Sequence, residues 1–360
     1  MTTNKSVLVV GYTTRHVAAS AHAAGFTVYA IDHFCDADLT PVTEDRMAFD
    51  ELEEIPYCFE EMFSKYHPDY VVTTSGAELL EFPNRLGTSP AAASRFMDKS
   101  ATQDFFESLG VPVPKRLAVG EYPAMAKTLG GAGGWRNAIV RSDAELEAWK
   151  EFVEGDPFML QEFIEGMPAS CCCLVSGGKA VVLTTNQQIL RGGDACAFAF
   201  SGSITPCPHP MAGKMAQYAE KIAAATGCSG CIGIDFVLTE NEAYAIEVNP
   251  RFQGTLETVE NALNTNLFKL HLDACSGILP DAVPAICGFT ARKILVAPHD
   301  MTLKSDLLPL RDIITDIPYP GTFFEEGMVL FSVTGSGRTV DEAEAVLDKN
   351  IRFAVQHIEE

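Results

Sequence analysis

Short apolar runs alternate with amphipathic stretches at the start of the chain. Residues 7–10 (VLVV) predict a strand that ends at Gly11, the alanine-rich residues 15–24 predict a helix, and residues 27–31 predict a second strand. Because a strand, a helix and a strand follow in this order, the segment is typical of a parallel sheet. Gly11 alone does not make the three-glycine motif of a dinucleotide site.

Polar residues follow the predicted strands of this sheet. Arg15 and Asp32 lie just beyond its first two strands, and Glu78 follows a further strand at residues 70–73. Since open parallel sheets bind ligands beyond the carboxyl ends of their strands, these three residues are candidate substrate contacts. A purely structural role is equally open for each of them.

Two apolar runs later in the chain flank a polar tetrapeptide. Residues 231–238 and 243–248 are mostly apolar, and residues 239–242 (TENE) separate them. This pattern predicts two buried antiparallel strands joined by a tight turn. In such a pair the region of position 235 faces the region of position 247. Positions 247 and 249 share one face, because side chains alternate along a strand.

Asp235, Glu247 and Asn249 interrupt the apolar pattern of this hairpin. Buried carboxylates without a counter-charge are costly, so a cation is their natural partner. A donor set made only of oxygen suits Mg²⁺ that is held jointly with phosphates. Arg251 follows at once and is able to hold a phosphate oxygen. In the structural alternative, Asp235 caps or kinks its strand and Glu247 pairs with Arg251.

A lysine precedes a glycine-rich loop between residues 123 and 134. Lys127 is predicted on a short strand, and residues 130–134 (GGAGG) contain four glycines. Glycines let backbone N–H groups turn toward an anion, and the lysine supplies positive charge. The order differs from that of a P-loop, in which the lysine follows the glycines, and a flexible surface hairpin is the alternative. A later strand at residues 158–165 carries Gln161, whose amide suits the edge of an adenine ring.

Composition narrows the classes of partner. The 360 residues include 48 acidic and 26 basic side chains, and the net charge of −22 argues against a nucleic-acid partner and against an anionic membrane. No apolar run approaches the roughly 18 residues of a membrane span, and the first apolar run is too short for a signal peptide. With an odd number of cysteines, 11, we expect reduced thiols and a cytoplasmic location.

Three domains are expected along the chain. They are an N-terminal βαβ domain over residues 1–95, a central domain over residues 96–280 and a small closing domain over residues 281–360. The central domain includes a lid subdomain at about residues 112–162. The extended connection at residues 111–114 (VPVP) is the first clear boundary along the chain.

The ordered set of motifs resembles the ATP-grasp superfamily. The set consists of the dipeptide DK at 98–99, Lys127 with the glycine-rich loop, QEFI at 161–164, Asp235, and EVNPR at 247–251. The resemblance covers about residues 90–280, and the whole chain looks similar to a stand-alone archaeal group of predicted ATP-dependent carboligases. It implies an α/β ATP-grasp fold with a Rossmann-like N-terminal domain (the pre-ATP-grasp domain) and a small α+β cap.

The resemblance also implies a nucleotide site for ATP. Two lysines would bind the phosphates, three glycines would form a lid loop over them, and the strand end after residue 160 would hold adenine. Glu165 is the nearest acid to the expected ribose, although many members carry this acid slightly later in the chain. The implied nucleotide-binding residues are Lys99, Lys127, Gly131, Gly133, Gly134, Gln161, Glu162, Phe163, Ile164 and Glu165.

Metal-binding and catalytic roles follow from the same resemblance. Asp235, Glu247 and Asn249 would bind one or two Mg²⁺ ions, with Mn²⁺ as an alternative metal. Arg251 would steady the oxygens of a phosphate or acyl phosphate, and Lys127 would act with it. The superfamily also leads us to consider a homodimer.

Three functions are compatible with these motifs. The first is an ATP- and Mg²⁺-dependent ligase that joins a small carboxylate to an amine through an acyl phosphate. The second is a bicarbonate-dependent carboxylase or carbamoyl-type enzyme, and the third is a nucleotide sensor without turnover. The residues that we expect to shape substrate choice are Arg15, Asp32, Glu78, Arg191, Gln253 and Lys293.

Overall fold

The computed structural model describes residues 5–131, 133–193 and 196–359. The described part begins with a sheet of four parallel strands in the order β3-β2-β1-β4. This confirms the parallel sheet that was predicted from the strand–helix–strand pattern. Its elements are β1 (Ser6–Val10), α1 (Arg15–Ala23), β2 (Thr27–Asp32), β3 (Asp45–Ala48), α2 (Ile55–Tyr66) and β4 (Tyr70–Thr73), with short 3-10 helices at Ala37–Val42 and Leu52–Glu54.

A smaller antiparallel sheet, which we call the lid sheet, comes next. Two helices lead into it, α3 (Pro90–Ala93) and α4 (Lys99–Ser108), and Asp98 caps α4 by accepting a hydrogen bond from the Ala101 N–H. The lid sheet has the order β6-β5-β7, and α5 packs on it through Leu146 and Trp149. Its elements are β5 (Ala124–Thr128), β6 (Ala138–Val140), α5 (Asp143–Phe152) and β7 (Phe158–Glu162).

The largest sheet has eight antiparallel strands in the order β12-β11-β8-β9-β10-β13-β17-β15. Its last three strands belong to the predicted closing domain, so that segment extends the central sheet. The elements are β8 (Met167–Ser176), β9 (Lys179–Leu190), β10 (Phe200–Thr205), α6 (Ala212–Ala225), β11 (Gly230–Leu238), β12 (Ala243–Asn249), α7 (Leu256–Leu263), α8 (Leu267–Cys275), β13 (Phe289–Val296), β14 (Met301–Thr302), β15 (Ile314–Thr315), β16 (Phe323–Phe324), β17 (Val329–Gly337) and α9 (Val340–Glu359). The strands β14 and β16 pair separately, and short 3-10 helices lie at Ser94–Phe96 and Leu308–Leu310.

The hairpin of β11 and β12 has the predicted register. Asp235 pairs with Glu247 and Gly233 pairs with Asn249. The register shifts between Asp235 and the following residue, as happens where a β-bulge redirects a side chain. Because β11 lies between β12 and β8, its apolar residues are buried in the core while Asp235 points out of it.

No helix in the described part of the chain is long and apolar enough to cross a lipid bilayer.

A buried histidine joins α8 to β11 and to the segment that follows β4. His271 Nδ1 accepts a hydrogen bond from the Cys231 N–H at 2.9 Å, and its Nε2 lies 3.2 Å from the Leu86 carbonyl oxygen, to which the neutral ring donates. Its ring also packs against Phe252, at 4.6 Å between ring centroids. Burial lowers the pKa of His271 to about 4, so the ring is neutral in the folded protein near neutral pH.

We expect this histidine to make the fold sensitive to acid. The unfolded chain binds the proton near pH 6.5 and the folded chain only near pH 4, so stability falls as the pH drops through that window. The full difference is about 3 kcal/mol. Urea denaturation at pH 7 and pH 4.5 should show a smaller loss of unfolding free energy in His271→Gln than in the wild type. The exposed His22 gives the control His22→Gln, and an equal loss in all three proteins would contradict the assignment.

Candidate active site

The carboxylates of Asp235 and Glu247 face one another across the β11–β12 pair. Burial raises the pKa of Asp235 to about 7, and the negative charge of Glu247 adds to the rise. Asn249 donates from Nδ2 to Asp235 Oδ2 at 3.0 Å, which offsets part of that cost. Two acids held face to face in a cavity wall are unfavourable without a cation, so this corner has the electrostatics of a binding site.

Two glutamine amides hold Asp235 from another side. Gln253 Nε2 donates to Asp235 Oδ1 at 2.8 Å, and Gln188 Nε2 donates to the same oxygen at 3.1 Å. Gln253 crosses the face of Gly233, where an added Cβ would lie 1.7 Å from Gln253 Cδ. A larger residue at 233 would therefore displace this amide. The sequence did not single out Gln188, because polar residues that alternate along a hairpin strand also fit its solvent face.

The donor chemistry of this corner fits a hard cation. In the ranges that the structure describes, no cluster of three or more His, Cys, Asp or Glu side chains could hold a metal. The two carboxylates and the amide oxygen of Asn249 are thus a partial set of ligands. Such a set suits Mg²⁺, which keeps several waters and takes further oxygens from a phosphate-bearing substrate.

Lys127 lies on β5 at 7% exposure and lines the cavity that contains the two acids. Burial lowers the pKa of its ammonium group to about 8, and the attraction of Glu247 only partly opposes this effect. Among the described residues, none accepts a hydrogen bond from this ammonium or forms an ion pair with it. An unpaired buried ammonium is costly to the fold, and such a cost is typical of a side chain whose partner is a ligand.

Lys99, the other predicted phosphate lysine, begins α4 and holds the glycine-rich loop. Its Nζ donates to the Gly131 carbonyl oxygen at 2.7 Å and to that of Gly130 at 3.3 Å. A narrow cleft connects Lys99 and this loop with Glu247. The lysine therefore lies within reach of the acid pair, while its present contacts shape the loop.

Three glycines of the loop have left-handed backbone conformations. Gly131, Gly133 and Gly134 have φ angles of +89°, +78° and +71°. At Gly134 an added Cβ would lie 2.5 Å from the carbonyl oxygen of Phe198, in the connection between β9 and β10. The loop thus passes against the large sheet and closes one side of the cavity, as a lid loop would.

The cavity continues along β7 to the predicted adenine residues. Gln161 pairs with Met125 on β5, so its side chain shares the face from which Met125 and Lys127 line the cavity. Gln161 is 5% exposed, and its buried Oε1 has no hydrogen-bond partner in the described part of the chain. Glu162, Phe163 and Ile164 line the same space, whereas the exposed Glu165 does not. The ribose role of Glu165 stays a prediction.

Arg251 is held by an acid from the segment that follows β4. Its Nε lies 2.7 Å from Glu78 Oε1, and both side chains are largely buried. Its Nη1 donates to the Phe252 carbonyl oxygen at 3.1 Å, and its Nη2 approaches Asn249 Oδ1 at 3.4 Å. The structural alternative from the sequence, a pair between Arg251 and Glu247, is therefore replaced by a pair with Glu78. This pair fixes the guanidinium at the edge of the acid corner.

One cavity of about 860 Å³ joins these groups. It extends from the predicted adenine end, through Lys127 and the acid pair, to Tyr12 and Ser75, which follow β1 and β4. This volume lies within the range that is usual for sites of small molecules. The pocket therefore combines a cationic region at Lys127, an acidic region at Asp235 and Glu247, and an apolar region.

Arg15, a predicted substrate residue, is instead buried in an ion cluster. Its Nη1 lies 2.8 Å from Glu257 Oε1, and its Nε lies 2.8 Å from Asp316 Oδ1 and 3.5 Å from Asp38 Oδ2. Arg292 joins the cluster at 2.6 Å from Asp316. These carboxylates hold the pKa of Arg15 well above its usual range despite its burial. The cluster binds the first sheet to β13 and α7 and does not line the cavity.

The structure also places other predicted substrate residues outside the cavity. Asp32 is buried and accepts hydrogen bonds from the Thr14 backbone and hydroxyl, and from the Phe34 N–H, so it fixes the turn after β2. Arg191 donates to the Gly327 carbonyl oxygen, and Lys293 is exposed on β13. Of the six substrate candidates only Gln253 lines the cavity, while Glu78 reaches it through Arg251.

Comparison with known proteins agrees with this geometry. Residues 96–255 match the family model described as the ATP-grasp domain. An uncharacterized protein of Methanocaldococcus jannaschii is 25% identical over 362 aligned positions, which cover 92% of this chain and 88% of that protein. The carbamoyl phosphate synthase large chain of Campylobacter jejuni is 26% identical over 265 positions, or 64% of this chain. The match spans only 24% of that longer protein.

Solved structures show the same fold. The biotin carboxylase domain of Hydrogenobacter thermophilus 2-oxoglutarate carboxylase, a dimer solved with MgADP, ADP and bicarbonate, aligns with a TM-score of 0.76 at 16% identity over 98% of this chain and 89% of that one. The L-amino acid ligase of Bacillus licheniformis aligns with a TM-score of 0.75 at 16% identity, over 96% and 97% of the two chains. The predicted fold class is thereby confirmed.

We expect Lys127→Met to stabilise the protein while it weakens nucleotide binding. The substitution keeps the aliphatic stem and removes a buried charge without a partner. The unfolding free energy without ligand should therefore rise by about 1–3 kcal/mol, and the melting temperature should rise with it. The shift caused by Mg-ATP should shrink at the same time. Thermal melts with and without Mg-ATP measure both effects.

The exposed Lys115 provides the matched control for this charge change. Lys115→Met should alter neither the melting temperature nor the shift by Mg-ATP to a comparable degree. Destabilisation of the Lys127→Met protein together with an unchanged Mg-ATP shift would show that Lys127 has a structural role instead.

Proposed function

We propose that this chain, whose residues 96–255 form an ATP-grasp domain, is an ATP- and Mg²⁺-dependent ligase that joins a small carboxylate to an amine through an acyl phosphate. ATP-grasp enzymes are ligases, so the proposal concerns the reaction and its substrates. The observation that carries it is the single cavity in which an unpaired buried lysine, a facing acid pair and an unpartnered amide oxygen meet. These are the three kinds of group that a metal-bound adenine nucleotide requires.

The acid corner is the proposed metal site. Asp235, Glu247 and Asn249 would hold Mg²⁺, with Mn²⁺ as a substitute that stays a prediction, and the bound metal would neutralise charge on the phosphates. Gln188 and Gln253 orient Asp235 in this role, in the way that outer amides orient metal ligands.

The chemistry that we propose needs no nucleophilic side chain. The substrate carboxylate attacks the γ-phosphorus of ATP, the bond to the bridging oxygen breaks, and an acyl phosphate and ADP result. The amine then attacks the acyl carbon and phosphate leaves, which forms the C–N bond. Lys127 and Arg251 are placed to hold the phosphoryl and acyl oxygens as charge shifts between them. The glycine-rich loop against Phe198 keeps water from the acyl phosphate.

A relay of two amides supports adenine at the far end of the cavity. The Pro114 carbonyl oxygen only accepts hydrogen bonds, and Gln103 Nε2 donates to it at 3.1 Å. Gln103 Oε1 therefore faces Gln161 and accepts from Gln161 Nε2 at 2.9 Å. Because its nitrogen is engaged, Gln161 presents Oε1 as a free acceptor. A free acceptor suits the exocyclic amine of adenine and repels the carbonyl of hypoxanthine.

We expect the protein to bind ATP about 10- to 100-fold more tightly than ITP, because the 6-carbonyl of ITP leaves the Gln161 acceptor unpaired. Gln103→Leu removes the group that fixes the Gln161 amide, so this preference should shrink to a few-fold. Calorimetric titration with the two Mg-nucleotides measures the ratio. The exposed Gln217 on α6 gives the control Gln217→Leu, and equal affinity of the wild type for both nucleotides would refute the relay.

The ligase itself is tested by ADP release. We expect Mg-ATP turnover to be stimulated by one carboxylate from a panel of amino acids, small di-acids and other acids, and raised further by one amine. Stimulation by bicarbonate alone would favour the carboxylase alternative. ATP binding without turnover under any addition would favour a nucleotide sensor.

Glu247→Gln serves as the test of the metal corner in the same assay. It removes one charge from the acid pair while it keeps the side-chain shape, so we expect ADP release to be lost and the fold to be retained. Glu240→Gln, in the exposed turn of the same hairpin, is the matched control and should retain full activity. A fully active Glu247→Gln protein would contradict the metal assignment.

A further inference from the structure

The end of the cavity opposite to adenine is built by the first sheet. Tyr12 follows β1, Ser75 follows β4, and the Tyr12 N–H donates to the Ser75 carbonyl oxygen at 2.7 Å. Both residues line the cavity, together with Thr13 and with Thr255 from the segment after β12. The cavity therefore extends from the phosphate region into the crevice at the carboxyl edge of a parallel sheet, where ligands of such sheets bind.

Free positive charge is absent from this end. Among the described residues that line the cavity, the cationic side chains are Lys127 and Arg251. Lys127 faces the acid corner, and Glu78 neutralises Arg251 at 2.7 Å. Arg15 is the cation that follows β1, but its guanidinium is committed to Glu257 and Asp316. Among the residues that the structure describes, the end of the cavity beside the first sheet thus offers one compensated guanidinium for a reacting carboxylate and no second cation for a distant anionic group.

Exposed apolar side chains lie next to the cavity-lining residues Tyr12 and Ser75. The ring of Tyr12 stacks on His33, with ring centroids 4.4 Å apart, and meets Phe34 edge-on at 5.4 Å. Leu52 lies against Gly76, where an added Cβ would be 2.7 Å from Leu52 Cδ2. Tyr12, Phe34 and Leu52 are 39%, 53% and 41% exposed. We call these three residues the apolar ledge. Large apolar side chains left exposed beside a cavity are typical of a surface that a ligand covers.

Acidic residues border the ledge. Asp50, Glu51, Glu53 and Glu54 flank Leu52 and are all exposed. Glu51 is close enough to Tyr12 to help burial raise the pKa of its phenol. Anions that approach the ledge therefore meet negative charge, and the overall charge of −22 acts in the same direction.

We propose that the carboxylate substrate has an uncharged apolar or aromatic tail, which lies on the ledge of Tyr12, Phe34 and Leu52 while its carboxylate reaches Arg251. This inference rests on the proposed ligase function and names the class of acid that the ligase activates. Phosphorylated acids and dicarboxylates are repelled by the acidic border, and a cationic tail would lose hydration on the apolar ledge, so neither class is a preferred substrate. The hydroxyl groups of Thr13, Ser75 and Thr255 are available for neutral polar atoms between the carboxylate and the tail.

Three acids that differ in the tail test the proposal. They are 3-phenylpropanoate with a neutral ring, glutarate with a second carboxylate, and 4-aminobutanoate with an ammonium group. Hydroxylamine replaces the amine, because its attack on the acyl phosphate gives a hydroxamate and phosphate whatever the natural amine is. We expect kcat/KM for hydroxamate formation to be at least tenfold higher with 3-phenylpropanoate. A higher value with either charged acid would overturn the proposal and leave the ligase function intact.

Binding is measured separately from turnover. Ligand-observed NMR with a non-hydrolysable ATP analogue should show that 3-phenylpropanoate binds and that glutarate does not. Binding without hydroxamate formation would support the ledge and contradict the ligase. If 3-phenylpropanoate shows no binding and no turnover, the ledge is overturned as the site of the tail.

Variants on the ledge locate the tail. Phe34→Ala should raise KM for 3-phenylpropanoate about three- to tenfold with little change in kcat. The KM for acetate, which has no tail to reach the ledge, should not change. Phe353→Ala, which removes a similarly exposed ring from α9, is the control. Glu51→Lys should raise kcat/KM for glutarate relative to that for 3-phenylpropanoate, because it replaces an anion beside the ledge with a cation. Unchanged KM values in Phe34→Ala would overturn the placement of the tail.

Discussion

The arrangement of the cavity wall depends on two carboxylates that face each other on neighbouring strands. The β-ladder places Asp235 opposite Glu247, and other groups must offset the electrostatic repulsion between the two carboxylates. Three side-chain amides, from Asn249, Gln188 and Gln253, donate to Asp235 and hold it in place. Each of these amides depends on a different strand or turn, so the charge pair is supported by the whole wall of the cavity.

The same logic applies to the cations around this wall. Lys127 is buried without a partner among the described residues, and Glu78, which follows β4, brings Arg251 to the corner. One cation is thus left uncompensated and the other is compensated. Positive charge is concentrated where a polyphosphate would lie and is weakened toward the first sheet. An uneven distribution of this kind orients a ligand that is anionic at one end and neutral at the other.

The features that the sequence predicted correctly are those that local chemistry determines. The β11–β12 hairpin follows from two apolar runs and a four-residue turn, and the first parallel sheet follows from the strand–helix–strand order. Contacts between distant segments were not predictable in this way. Glu78 and Arg251 are 173 residues apart, and Arg15 and Asp316 are 301 residues apart. The sequence does not show whether an arginine is exposed or buried, so Arg15 was predicted to contact a substrate, although acids from three other segments enclose it.

The eight-stranded sheet determines which part of the molecule is able to move. Strands from residues 289–337 are hydrogen-bonded into the same sheet as the acid hairpin, so the closing segment cannot rotate without breaking a ladder. The lid sheet of β5, β6 and β7 shares no ladder with another sheet in the described part of the chain, and its glycine-rich loop meets the large sheet beside Phe198. If the cavity opens, these ladders allow bending in the connections before β5 and after β7.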